Sequence, residues 1–93
     1  MSITIELPGA LQAHARGSAS VVLEEPCASV GDALAALAIR WPGVLDRVMT
    51  EQGALRPHVN VFIDEENSRF IGGLEAPVPD GSTILILPAV SGG

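Results

Sequence analysis

Only one stretch of the chain carries a helix-length apolar period, and strand-like alternation lies on both sides of it. Val30, Leu34, Leu37 and Trp41 recur at helical spacing, with Ala33, Ala36 and Ala38 supplying propensity. Ser29-Val30-Gly31-Asp32 opens the stretch with the form S-x-x-D. That is a capping box, in which a serine hydroxyl and an acidic side chain satisfy free backbone N–H groups. Pro42-Gly43 ends the helix, and Val44–Met49 reads as one more short helical turn with Leu45, Val48 and Met49 turned inward. A single apolar stripe has to be buried against something, and the flanking sequence offers strands.

Residues 2–7 alternate strictly, Ile3, Ile5 and Leu7 against Ser2, Thr4 and Glu6. Pro8-Gly9 stops that strand, and 8–18 reads as a long connection anchored by Leu11. Residues 19–24 make a weaker second strand, stopped by Glu25-Pro26. In His58–Asp64, Val59, Val61 and Ile63 alternate with Asn60, Phe62 and Asp64. Asp64–Asn67 is a turn, Arg69–Ile71 a short return strand, and 74–79 irregular. Asp80-Gly81 turns the chain into Thr83–Leu87, which is apolar on both faces as a central strand should be. For that same reason its periodicity leaves its phase open. The order β-β-α-β-(β)-β predicts an α+β fold: a mixed sheet of four to five strands with one main helix across one face.

At 93 residues the chain holds one domain, which buries only about 60–65% of the surface its unfolded form exposes. Five basic residues stand against eleven acidic ones, a net charge of -6, and all the basic residues are arginines. Aromatics make up 3%. Such a chain lacks the charge and the stacking platforms of a nucleic-acid binder. Its longest apolar runs, Ala33–Ile39 and Ile84–Val90, fall far short of the ~20 residues of a membrane span. The start, Met-Ser-Ile-Thr-Ile-Glu, has no basic region of the kind that opens a signal peptide. One cysteine makes no internal disulfide, which suits a reducing, cytoplasmic setting.

Phosphate loops, metalloprotease motifs, Cys pairs and nucleophile elbows are all missing. His14, His58 and Cys27 are far apart in sequence and read as ordinary structural residues. The acidic run Asp64-Glu65-Glu66 reads as a solvated turn rather than a cation site. What remains is Gly92-Gly93 after a short extended tail. Two glycines carry no side chains, so such a tip threads a narrow channel and leaves its last carboxylate unhindered.

Asp80-Gly81 leading into an apolar strand, followed by Pro88-x-Val90-x-Gly92-Gly93, resembles the closing signature of the MoaD/ThiS sulfur-carrier proteins. Ser29-Val30-Gly31-Asp32-x-Leu34 and Arg40-Trp41-Pro42-Gly43 match the same family. Val59–Ile63 through Arg69-Phe70-Ile71-Gly72-Gly73-Leu74 is similar to the CysO-type carriers within it. The resemblance covers nearly the whole chain and is weakest over 8–28. It implies a ubiquitin-like β-grasp domain over 1–93 with a flexible tail from about Pro88. It also implies a carrier rather than an enzyme. An E1-like partner would use ATP and magnesium to adenylate Gly93 beside Gly92. A sulfur donor would then leave a thiocarboxylate, and an acceptor enzyme, such as one making cysteine, would take the sulfur. No cofactor is expected on the carrier itself.

If Val59, Val61 and Ile63 face the helix, Phe62 points outward, and Leu85 and Leu87 join it if Ile84 and Ile86 face in. That apolar patch, with Pro88, Val90 and Ser91 of the tail, is the expected surface for the adenylating partner. The net acidity suggests a basic partner. Three other readings fit the same residues: the small subunit of molybdopterin synthase, a ubiquitin-like protein modifier, and an interaction module with an incidental Gly-Gly end.

Overall fold

In the computed structural model residues 2–88 are described. Strand β1 (Ile3–Glu6) pairs antiparallel with β2 (Ser20–Leu23). On its other side β1 runs parallel to β5 (Thr83–Pro88). Strand β3 (Val59–Ile63) lies antiparallel to β5, and the two-residue β4 (Glu66–Asn67) closes the far edge. The order is β2-β1-β5-β3-β4, so the last strand sits in the centre, as its two-sided apolar sequence requires. Helix α2 (Val30–Arg40) packs Val30, Ala33, Leu34 and Leu37 into one core with the inward residues of the sheet. This is the β-grasp arrangement. Among the described residues no helix is long and apolar enough to cross a membrane.

The start of α2 is fixed by its sequence. Ser29 Oγ accepts the Asp32 N–H at 3.2 Å, and Asp32 Oδ2 accepts the Ala28 N–H at 3.2 Å. The second bond falls one residue earlier than in the reciprocal capping box. A Cβ on Gly31 would stand 3.2 Å from the Leu74 carbonyl oxygen. The bare backbone there lets the first turn of α2 approach the 3-10 turn at Gly73–Glu75. Val30 N–H donates to the Ala76 carbonyl at 3.0 Å, which ties the 74–79 connection to the helix.

Three expectations change. The connection over 8–18 contains helix α1 (Gly9–Gln12) and a 3-10 turn at Ala13–Ala15. A single turn has no stability of its own. Burial of Leu11 and Ala15 holds it, together with a Gln12 Nε2 bond to the Leu7 carbonyl at 3.1 Å. Pro42 ends α2 but also opens α3 (Pro42–Val48), where its missing N–H costs nothing. Val44 and Val48 are the buried residues of α3; Leu45 and Met49 are half-buried against the core. Arg69–Ile71 is not a strand. The return pairing falls earlier, at Glu66–Asn67, and Ser68–Phe70 forms a 3-10 turn. The Asn67 side chain accepts the Arg69 N–H at 3.0 Å, and this local bond replaces further ladder.

Candidate functional site

Strand β5 defines the site because residues 89–93 continue from it. Ile84 and Ile86 are fully buried on the helix side. Leu85 and Leu87 therefore face the other way, which resolves the phase that the sequence left open. Leu85 stands opposite Phe62, and Leu87 opposite Asn60. Val59, Val61 and Ile63 are buried, so Phe62 shares the outer face with Leu85 and Leu87. Phe62 and Leu85 are half-buried, and Leu87 is 37% exposed.

One row crosses the outer face through Ser20, Glu6, Leu85, Phe62 and Asn67, each the ladder partner of the next. The patch is thus a small apolar centre between polar neighbours. An apolar centre with a polar surround is the make-up of a protein-docking surface. Val22, 48% exposed on β2, adds apolar surface on the same face. It was not singled out from sequence, although its alternation with Val21 and Leu23 was a usable signal.

The end of β5 is held by a clamp that the sequence did not reveal. Arg69 Nη2 donates to the carbonyls of Val59 at 2.6 Å, Arg56 at 2.9 Å and Pro57 at 3.3 Å. Asn60 Oδ1 accepts from Asn67 Nδ2 at 3.3 Å. These bonds fix the segment entering β3, and Val59 is the residue paired with Pro88. Pro88 was expected to begin the tail; its backbone is the last position of the strand. Val90, Ser91, Gly92 and Gly93 lie outside the described residues.

Cys27 is buried, and its Sγ–H donates to the Glu25 carbonyl at 3.6 Å. Burial pushes the thiol pKa up, and the nearby carboxylates of Glu25 and Asp32 add to the shift. The thiol stays protonated and is a poor nucleophile. Among the described residues no group of three or more His, Cys, Asp and Glu side chains is placed to hold a metal ion.

A sequence model of the ThiS family matches residues 5–93. The sulfur carrier protein CysO of Mycobacterium tuberculosis is 35% identical over 95 aligned positions that span both chains completely. A chain in the crystal structure of the Amycolatopsis orientalis BexX/CysO complex is 40% identical and superposes with a TM-score of 0.86, covering 98% of this chain and 99% of that one. SAMP1 of Haloferax volcanii is 33% identical over the whole of both chains, with a TM-score of 0.82.

Proposed function

The chain belongs to the ThiS family, and from that premise we propose that it is a sulfur carrier of the CysO type whose reactive group is the Gly93 carboxylate. The observation that carries this reading is the match to curated sulfur carriers along their full length. A carboxylate is a weak electrophile. An E1-like enzyme binding ATP and magnesium lets the Gly93 carboxylate oxygen attack the α-phosphorus, and pyrophosphate leaves. Sulfide then adds to the acyl carbon, AMP departs, and the remaining S–H proton is lost to solvent. The thiocarboxylate that results is a soft nucleophile for an acceptor held by a biosynthetic enzyme. The CysO relatives favour cysteine synthesis as the destination.

The fold supports this division of labour. The central strand is paired with β1 as far as Leu85 and with β3 as far as Pro88, so the reactive residues continue from a strand tied into the sheet. Phe62, Leu85 and Leu87 form the docking surface beside that base, and Pro88, Val90 and Ser91 continue it into the partner. Cys27 takes no part, since its thiol is buried and protonated.

The test is intact-mass measurement after incubating the protein with cell extract, ATP and sulfide. The expected result is a gain matching replacement of one terminal oxygen by sulfur, and no gain when Gly93 is deleted. Equal gain by the Gly93-deleted chain would overturn the mechanism.

A second reading, a ubiquitin-like modifier, is favoured by the likeness to SAMP1. Covalent ladders on cellular proteins, detected with an antibody to this chain, distinguish it. The chain contains no lysine, so it offers no side-chain amine for attachment to another copy of itself.

A further inference from the structure

The charges of this molecule are sorted along its strands. Glu24 and Glu25 follow β2 beyond the Leu23–Ile3 pair. Asp64 and Glu65 turn the chain beyond the Ile63–Ile84 pair, and Glu66 stands opposite Ile63. Asp80 precedes Gly81, whose N–H donates to the Ser2 carbonyl. Most of the carboxylates therefore lie at the end of the sheet where β1 and β5 begin.

The opposite end is where β5 finishes, and every arginine except Arg40 gathers there. Arg69 is bound to the carbonyls of residues 56, 57 and 59. Arg56 reaches the Asp46 carbonyl at 2.9 Å. Arg47 and His58 line one shallow pocket with Val59 and Ile86. Arg16 closes the 3-10 turn whose His14 stands against Gly43 of α3. The described bonds of Arg47, Arg56 and Arg69 go to neutral oxygens, so the guanidinium charges remain uncompensated by those bonds. Asp46 and Glu51 line a pocket with Arg56, and Glu75 lines one with Arg69; the four arginines outnumber these three carboxylates.

Net charge alone points to a basic partner; the placement of the charges points to an acidic one at the end from which residues 89–93 continue. We propose, resting on the carrier function above, that the arginine-rich end is an orienting surface that meets an acidic protein rim around the mouth of the activating enzyme's catalytic channel. Five residues extend at most about 17 Å. A carboxylate delivered to that depth brings the end of the sheet, and its arginines, against the rim. An acidic rim attracts this end and repels the carboxylate end, so productive encounters occur tail first.

The extract assay with ATP and sulfide tests the idea at low ionic strength. Arg47→Glu with Arg16→Glu should slow thiocarboxylate formation about tenfold, and the milder Arg47→Gln with Arg16→Gln should slow it less. Added salt should shrink both differences. Glu24→Gln with Glu25→Gln and Glu65→Gln should leave the rate within about twofold of the unaltered chain. Unchanged or faster reaction of both arginine variants overturns the proposal, as does an equal slowing by the carboxylate variant. A slowing that disappears at saturating ATP also overturns it, because the arginines would then be serving the nucleotide. If the unaltered chain gains no sulfur, the carrier reading itself has failed.

Discussion

Alternate residues of β5 do opposite work. Ile84 and Ile86 are sealed against the helix layer, whereas Leu85 and Leu87, one position away on the same backbone, face outward beside Phe62. All four are similar aliphatic residues, so hydrophobicity does not separate their roles. Pairing does: one face of a central strand is fixed by the core, and the other is left available to a partner.

The contrast is broken most directly on the inner face. Ile86→Ala removes fully buried atoms and should cost about 2–5 kcal/mol. Thermal melting would then fall by roughly 10–40 °C for a domain of this size. An unchanged melting temperature would mean that the inner face does not hold the fold. On the outer face Phe62→Ala should cost only about 1 kcal/mol of stability. The same change should slow thiocarboxylate formation about tenfold if Phe62 anchors the partner. A Phe62→Ala chain that unfolds easily yet reacts at the normal rate would erase the distinction.

The smallest effect concerns Cys27, another buried residue. Its raised pKa means that the folded chain holds the thiol proton more tightly than the unfolded chain does. Stability from this group is full below the ordinary thiol range and is lost as pH rises through the folded pKa. Urea unfolding of the unaltered chain and Cys27→Ala, compared across neutral to alkaline pH, should show that loss only in the unaltered chain. Parallel pH profiles would contradict it.

Much of this was legible in the residues. Strict alternation located β1 and β3, and a cap before an apolar stripe located α2. Helix α1 was hidden because one turn has no period to detect; its stability comes from Leu11 and Ala15 meeting the core. The turn at Ser68–Phe70 was misread because the Asn67 side chain, not the strand propensity of Phe70 and Ile71, decides the backbone path. The phase of β5 needed its neighbours, since both of its faces are apolar. The sorting of charge needed strand direction as well, because the arginines of the tail-bearing end are scattered from Arg16 to Arg69 along the chain.

The parallel pairing of β1 with β5 also has a mechanical consequence. The beginning of β1 and the end of β5 lie at opposite ends of the sheet. A pull between those two points therefore drags the strands past each other lengthwise. The ladder joining Thr4 to Thr83, Ile5 to Ile84 and Glu6 to Leu85 takes the strain in shear. Its hydrogen bonds share the force instead of parting one after another like a zip. A pull on the tail thus loads this ladder lengthwise.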